Sequence, residues 1–150
     1  MSSTLDANIL VYASNQRDPF HTQANQLVRR LAAGPDLLYL FWPVVLGYLR
    51  IVSHSAILAK PLSPREATAN AEALLRRPHV RTAGEEDGFW ELFRGTSHDR
   101  ARGNDVPDAH LVTLMRQHGV RRIYSRDSGL RRYPDIEVVD PFALRPRAGR

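Results

Sequence analysis

The feature that most constrains the fold of this chain is a regular alternation of short apolar runs with longer amphipathic segments. The longer segments repeat apolar residues at the three- and four-residue spacings of one helix face. Strands that alternate with helices predict a parallel sheet covered by helices. We therefore expect an α/β fold, a single three-layer α/β/α domain with a four- to five-stranded, mainly parallel sheet. The predicted strands cover residues 4–6, 37–41, 80–82, 122–125 and 136–139.

Local signals indicate where several helices begin and end. Ser63 and Glu66 have the spacing of a capping box, and Pro64 between them suits the first helical position. Asp18, which is followed by proline, predicts another helix start. Gly119 is expected to end a helix, because glycine readily adopts the left-handed conformation found there. A short helix is predicted directly after the first strand, and the later helices are predicted over residues 19–33, 43–54, 64–77, 85–98 and 105–118.

The absence of cysteine excludes several kinds of protein. Among 150 residues there is no Cys, which rules out a disulfide scaffold, a thiol nucleophile and a zinc–thiolate site. No apolar run approaches the roughly 18 to 20 residues of a membrane span, and the first six residues lack the pattern of a secretory leader. We therefore expect a cytoplasmic protein with one domain over residues 1–142 and a basic tail at 143–150.

The positive charge of the chain is carried almost entirely by arginine. Lys60 is the only lysine, so 20 of the 21 basic residues are Arg, and the formal net charge is +5. Arginine binds phosphate groups through paired hydrogen bonds, which favours a nucleic-acid partner. The alternative is that these residues only solvate the surface, and composition does not separate the two interpretations.

Acidic residues occur where predicted strands end and where a predicted helix begins. Asp6 ends the first strand, and Asp127 follows the fourth. Asp105 and Asp108 lie at the start of the last helix. In a parallel sheet these positions lie at the carboxyl edge of the strands. Like charges about 4 Å apart repel by roughly 4 kcal/mol at an effective dielectric constant near 20, so such carboxylates must share protons or bind a hard cation.

A cation at this edge predicts a class of reaction. Mg²⁺ and Mn²⁺ prefer oxygen ligands, and a bound ion activates water and stabilises a phosphodiester transition state. The pattern therefore favours metal-dependent phosphodiester hydrolysis. The alternatives are structural: Asp105 as a helix cap, Asp108 as its capping-box partner and Asp127 as a turn residue. Asp6 is harder to explain in this way, because a carboxyl group within an apolar strand is costly unless it is satisfied.

Four motifs follow one another in an order typical of a known family. They are LDANILVYA from Leu5, WPVVLGYLRIVSH from Trp42, VPDAHLVTL from Val106, and SRDSGLRRYPDIEVVDPF from Ser125. Together they extend over nearly the whole chain. In these motifs the sequence resembles the PIN-domain family, and within it the VapC-type toxins of bacterial toxin–antitoxin pairs.

The resemblance implies a PIN-like nuclease domain over residues 1–142. It implies a Mg²⁺- or Mn²⁺-dependent endoribonuclease that hydrolyses RNA with metal-activated water, a small cognate antitoxin protein as its inhibitor, a homodimer, and no membrane partner. Asp6, Asp108 and Asp127 match the family's catalytic and metal-binding acids. Asn8 and Ser125 match positions that orient those acids by hydrogen bonding.

The sequence departs from the family pattern at two acidic positions. Counting back five residues from Arg50 gives Val45 where most members carry Glu, and Gly129 stands where a further acid is common. We hypothesise that Asp105, one helical turn before Asp108 on the same face, supplies the missing charge. The competing function is a catalytically weakened PIN-like module that binds RNA or a protein, and a DNA nuclease of the same fold is a third possibility.

Other residues are candidates for binding rather than for catalysis. Arg50, Arg102 and Arg126 flank the predicted site and are candidates for substrate phosphates, with surface roles as the alternative. The candidates for a groove that accepts an apolar antitoxin helix are Tyr12, Phe20 and Tyr48.

Overall fold

The computed structural model describes residues 1–143, which form one parallel sheet and six α-helices. The strands are β1 (Ser3–Leu5), β2 (Leu38–Phe41), β3 (Val80–Ala83), β4 (Arg122–Tyr124) and β5 (Glu137–Val139). The helices are α1 (Ala7–Ser14), α2 (His21–Ala32), α3 (Trp42–Val52), α4 (Pro64–Leu75), α5 (Phe89–Ser97) and α6 (Asp105–Gln117), and a 3₁₀ turn covers Ser128–Arg132. The predicted α/β fold is confirmed. Most of the predicted basic tail, residues 144–150, lies outside the described residues, and the domain boundary at 142 stays a prediction.

The order of the strands decides which residues meet at the edge of the sheet. The order is β3-β2-β1-β4-β5, and every neighbouring pair is parallel. Because crossovers between parallel strands are right-handed, α1 to α4 cover one face, and α5, α6 and the 3₁₀ turn cover the other. Central β1 has Leu5 opposite Tyr124 of β4. The carboxyl ends of β1 and β4 therefore open onto the same edge.

Helix α6 is held firmly by the core. Between Ala109 and Met115 every residue is buried except His110, which is partly exposed, so most of the circumference of the helix packs inside the molecule. This burial fixes the position of its first turn at the sheet edge. No helix within residues 1–143 combines the length and the hydrophobicity that a membrane span needs.

Two of the predicted helix boundaries are confirmed by their hydrogen bonds and dihedral angles. Glu66 N–H donates to Ser63 Oγ at 3.1 Å, and α4 begins at Pro64. Gly119 follows the end of α6 with a φ of +67°, a conformation that a residue with a Cβ atom rarely adopts.

Two other helices begin later than predicted. Helix α2 begins at His21, because Asp18 accepts a hydrogen bond at Oδ1 from Phe20 N–H at 2.8 Å and so stabilises a separate turn before the helix. Helix α5 begins at Phe89 rather than at residue 85, after Gly88 reverses the chain direction with a φ of +82°. In both cases a turn occupies residues that the sequence pattern assigned to a helix.

Candidate active site

Three acidic residues meet at the edge where β1 and β4 end. Asp6 directly follows β1, and its N–H donates to Tyr124 O at 3.2 Å. Asp127 begins the 3₁₀ turn after β4, and Asp108 lies in the first turn of α6. Asp127 repels both of the other two carboxylates. We call Asp6, Asp108 and Asp127 the acidic cluster.

Asp6 is both a helix cap and a member of the acidic cluster. Its Oδ1 accepts hydrogen bonds from the N–H groups of Asn8 and Ile9, at 2.9 and 3.3 Å, and so begins α1. Its Oδ2 accepts from the hydroxyl of Ser125, which is fully buried. Burial raises the pKa of Asp6 because the loss of water outweighs these hydrogen bonds, and the charge of Asp127 acts in the same direction.

Ser125 connects two of the three acids. Its hydroxyl donates to Asp6, and the same Oγ accepts a hydrogen bond from Asp127 N–H at 2.9 Å. Asn8 contributes its main-chain N–H, whereas its side chain is exposed and makes no hydrogen bond in the described part of the chain. The orienting role that the resemblance implied therefore has geometric support at Ser125 but not at the Asn8 side chain.

Asp108 and Asp127 form an electrostatically strained pair. Their carboxyl groups are close enough to share a proton, and burial together with the charge of Asp127 raises the pKa of Asp108 to about 6. Asp127 is exposed, and its Oδ1 accepts a hydrogen bond from Gly129 N–H at 2.8 Å. At neutral pH the pair consequently favours binding of a positive charge.

Asp105 lies beside the acidic cluster but is paired with an arginine. Arg132 donates from Nη2 to Asp105 Oδ1 at 3.1 Å and from Nε to Gly129 O at 2.8 Å. This ion pair lowers the pKa of Asp105, and the charge of Arg132 partly offsets the repulsion at Asp108. Asp105 is not the cap of α6, a position held by Asn104. The hypothesis that Asp105 supplies charge must therefore include Arg132, the last residue of the 3₁₀ turn after β4.

Gly129 permits the close approach of Asp108 and Asp127. A Cβ atom on Gly129 would lie 3.0 Å from Asp127 Oδ1 and 3.3 Å from Asp108 Oδ2. It would also lie 3.1 Å from Nη2 of Arg132, so any side chain here would require these neighbouring groups to shift slightly.

Two residues of α3, Val45 and Gly47, pack against different parts of α1. Val45 is buried and lines an apolar cavity of about 120 Å³ together with Tyr48 and residues of α1 and α4. A Cβ atom on Gly47 would lie 3.4 Å from Ala7 Cβ, and Ala7 directly follows Asp6. Val45, the position where the family pattern has Glu, is therefore a core position in this chain.

The three arginines predicted to bind phosphate lie in different surroundings. The guanidinium of Arg126 lies over the ring of Phe20. Arg102 is exposed just before α6, and its charge helps to lower the pKa of Asp105. Arg50 is exposed in the last turn of α3, and no hydrogen bond or ion pair within residues 1–143 joins it to the acidic cluster.

The acidic cluster suits a hard cation in the type of its ligands. Carboxylate oxygens are the ligands that Mg²⁺ prefers, and burial together with the charge of Asp127 raises the pKa of Asp108 although Arg132 partly offsets it. Within residues 1–143, no group of three or more His, Asp or Glu side chains is already arranged to hold a metal ion. Asp108 and Asp127 thus offer a pair of carboxyl groups, and Asp6 is connected to Asp127 through Ser125. This arrangement fits an ion that keeps several of its water molecules.

Without metal, the protein is expected to lose stability as the pH rises through the range in which Asp108 ionises. A carboxyl group whose pKa is higher in the folded than in the unfolded protein stabilises the fold only while it is protonated. For Asp108 this range runs from 3.8 to about 6. Since the group is partly exposed to solvent, we expect a loss on the order of 1 kcal/mol, measured by urea unfolding in a chelator.

Two variants provide the controls for this pH dependence. Asp108→Asn is expected to remove most of it, whereas Asp87→Asn, at an exposed acid of the loop before α5, is expected to leave it intact. Equal pH dependence in the wild-type protein and in Asp108→Asn contradicts the assignment.

This chain is similar to known proteins both in its sequence and in its fold. Residues 4–136 match the family model of the PIN domain. The chain is 49% identical over 144 residues to Ribonuclease VapC48 of Mycobacterium tuberculosis, covering 95% of this chain and 99% of that protein. The crystal structure of Mycobacterium tuberculosis VapC20, a sarcin–ricin loop cleaving toxin, has a TM-score of 0.62 at 19% identity and covers 87% of this chain and 93% of its own. The crystal structure of VapBC2 from Rickettsia felis, bound to a DNA fragment from the VapBC2 promoter, has a TM-score of 0.66 at 14% identity. The match covers 93% of this chain and 98% of the VapBC2 chain.

The two solved structures support the fold of this chain, and the matches in sequence establish its family. The match to the PIN domain spans β1 to the residue before β5, so it includes every member of the acidic cluster. On this basis the chain belongs to the PIN-domain family and, within it, to the VapC ribonucleases.

Proposed function

We propose that this protein is a Mg²⁺- or Mn²⁺-dependent endoribonuclease and the toxin of a toxin–antitoxin pair. The observation that carries this proposal is the meeting of Asp6, Asp108 and Asp127 at one edge of the sheet, where Ser125 links two of them. The name of VapC48 and the loop cleavage ascribed to VapC20 support RNA as the substrate.

The side chains of the acidic cluster would hold the cation. When bound, the ion supplies an activated water molecule and positive charge for the phosphodiester transition state. Ser125 fixes the rotamer of Asp6 by donating to Oδ2, and Gly129 N–H does the same for Asp127 through Oδ1. These two hydrogen bonds hold the carboxyl groups that follow neighbouring strands β1 and β4 in place before any ligand binds.

Arginines around the cluster are proposed to bind RNA phosphates. Arg102 and Arg126 are exposed and adjoin the acidic segments in the sequence, which suits contacts to the RNA backbone. Arg132 is less suited, because Asp105 already engages its guanidinium. Arg50 stays a weaker candidate, since its support comes from sequence alone.

RNA cleavage is expected to require a divalent cation. The purified full-length protein, freed of antitoxin, should cleave single-stranded RNA with Mg²⁺ or Mn²⁺ and lose this activity in a chelator, because adjacent carboxylates then lack both the counter-charge and the activated water. Added Mn²⁺ should restore the activity, and calorimetric titration with Mn²⁺ measures binding apart from cleavage. Undiminished cleavage in excess chelator contradicts the proposed metal dependence.

The second candidate function is a PIN-like module that binds RNA or a protein without cleaving it. Two observations favour it: Val45 stands where the family pattern has a glutamate, and no group of three metal-binding side chains is preformed within residues 1–143. The retained repulsion between Asp108 and Asp127 argues against it, since a site without chemistry gains stability by losing one of these charges. RNA binding without cleavage in the presence of Mn²⁺ would favour this candidate.

A small cognate antitoxin is proposed as the protein partner, together with a homodimer and a cytoplasmic location. The VapBC2 structure with promoter DNA supports such a partner. A groove between α1, α2 and α4 adjoins the apolar cavity beside Val45, and its mixed polar and apolar lining suits an amphipathic helix. Of the three residues predicted to line it, Tyr48 lines the cavity, whereas Tyr12 and Phe20 pack against Phe142 instead.

Asp105→Ala is expected to weaken Mn²⁺ binding about tenfold, the usual size of an effect from a residue that supports the ligands. Asp105 adds negative charge beside Asp108 and neutralises Arg132, whose positive charge otherwise opposes a cation. Calorimetry measures the affinity. The double variant with Arg132→Gln is expected to recover part of it. Full metal affinity and a full cleavage rate in Asp105→Ala would show that Asp105 has no such role.

A further inference from the structure

Three aromatic rings from separate parts of the chain form one cluster. Phe20, in the turn before α2, stacks on Phe142, after β5, with ring centroids 4.6 Å apart and an interplanar angle of 12°. Tyr12 of α1 lies edge-on to Phe142, with centroids 5.8 Å apart at 63°. All three residues are partly buried. The cluster therefore joins the N-terminal helices to the segment that follows the last strand.

The guanidinium of Arg126 lies on this aromatic cluster. Its Cζ atom is 4.3 Å from the ring centroid of Phe20 and 6.0 Å from that of Phe142. These distances are those of a cation–π interaction. Arg126 is exposed, and its neighbours in sequence are the buried Ser125 and the acidic-cluster residue Asp127. The rings thus hold a long side chain at the rim of the candidate active site.

Arg126 differs from the arginines that are engaged by acids. Arg132 pairs with Asp105 and Arg116 with Asp135, so several of their N–H donors are already in use. Within residues 1–143, no ion pair or side-chain hydrogen bond involves Arg126, and its described contacts are with the two rings. A ring face attracts the guanidinium without accepting hydrogen bonds in its plane. The N–H donors of Arg126 are consequently available to an anion from outside the protein.

We propose that Phe20 and Phe142 position Arg126 to bind a phosphate of the RNA that flanks the one being cleaved. This inference rests on the proposed ribonuclease function. A guanidinium that is already held in place loses less conformational freedom when phosphate binds, and its planar fork suits two phosphate oxygens. Arg126 is the residue that contacts the substrate, and the two phenylalanines are positioning residues.

Steady-state cleavage of a short single-stranded RNA by the full chain tests the proposal. Phe20→Leu keeps an apolar side chain but removes the ring, and we expect it to raise KM about threefold to tenfold with little change in kcat. Phe20→Tyr keeps the ring and should keep the wild-type KM. Arg126→Ala should raise KM at least as much as Phe20→Leu and should lower the slope of log affinity against log salt by about 0.7. Arg65→Ala, at an exposed arginine of α4, is the control and should change neither.

The decisive comparison is Phe20→Leu in an Arg126→Ala background, where no further rise in KM is expected. A further rise of the same size there overturns the inference, because the ring then acts independently of the arginine. An unchanged KM in Phe20→Leu also overturns it. Melting temperatures are measured for every variant, and Phe142→Leu replaces Phe20→Leu if the latter does not fold.

The failure of this inference is distinguishable from the failure of the proposed function. If the wild-type protein cleaves RNA and Phe20→Leu has an unchanged KM, the inference fails while the proposed ribonuclease function stands. If the wild-type protein and Asp6→Asn are equally inactive, the ribonuclease proposal fails. The same set of variants is then compared by the Kd for the oligoribonucleotide, measured by fluorescence anisotropy, and the same pattern of effects supports or overturns the role of the rings.

Discussion

Asp127→Asn is expected to lower the rate of RNA cleavage by about a thousandfold or more. Asp127 is the acid that interacts with both other members of the cluster, since its charge raises the pKa of Asp6 and of Asp108. The amide keeps an oxygen that can accept the Gly129 N–H, so the turn after β4 is preserved while the charge is lost. Single-turnover cleavage at saturating Mn²⁺ measures the effect.

Stability separates this loss of activity from misfolding. Without metal at neutral pH, Asp127→Asn is expected to be at least as stable as the wild-type protein, because Asp108 then ionises beside a neutral group. Asp6→Asn should lose activity in the same way and keep the start of α1, since asparagine also caps helices. Asp87→Asn is the matched control and should cleave at the wild-type rate. Undiminished cleavage by Asp127→Asn contradicts the assignment of the site.

A glutamate introduced on α3 is expected to destabilise the protein at one position and to strengthen metal binding at another. Val45→Glu introduces a carboxyl group into an apolar cavity that no charged residue lines, and we expect it to lower the free energy of unfolding by roughly 3 to 5 kcal/mol. Gly47→Glu extends from the side of α3 that packs on Ala7, the residue that follows Asp6 in the sequence. We expect this variant to fold and to bind Mn²⁺ several-fold more tightly, because it adds a carboxylate next to the cluster.

Smaller substitutions at the same positions are the controls. Val45→Leu changes the volume without adding charge, and Gly47→Ala tests whether the contact with Ala7 tolerates a Cβ atom at 3.4 Å. Urea unfolding gives the stability of all four variants, and calorimetry gives their affinity for Mn²⁺. If Val45→Glu is stable and binds the ion more tightly than Gly47→Glu, then Val45 and not Gly47 is the residue of α3 nearer to the site.

The meeting of Asp6 and Asp127 was predictable because it depends on topology. Each follows a short apolar strand, and parallel strands in one sheet end at the same edge. The position of Asp108 followed from its place at the start of a helix that is connected to that edge. The sequence pattern could not show how closely the carboxyl groups approach, because that distance depends on Gly129 and on the hydroxyl of Ser125.

The parts of the site that sequence reasoning missed depend on tertiary packing. Arg132 stands in a charged turn, and its ion pair with Asp105 joins residues 27 positions apart. Counting to Val45 could not show that this residue lines an apolar cavity with Tyr48 and with residues of α1 and α4, because the cavity is formed by helices that are far apart in sequence.

The strand order also has a consequence for the synthesis of the protein. Central β1 is made first, but its neighbour β4 and the turn that carries Asp127 come from the last quarter of the chain. A nascent chain on the ribosome therefore contains Asp6 as the one acid of the cluster until Asp108 is added, and it lacks the third acid until Asp127 is added. A message that is truncated before the codon for Asp127 encodes a protein without a complete site, whatever part of the sheet it has already formed.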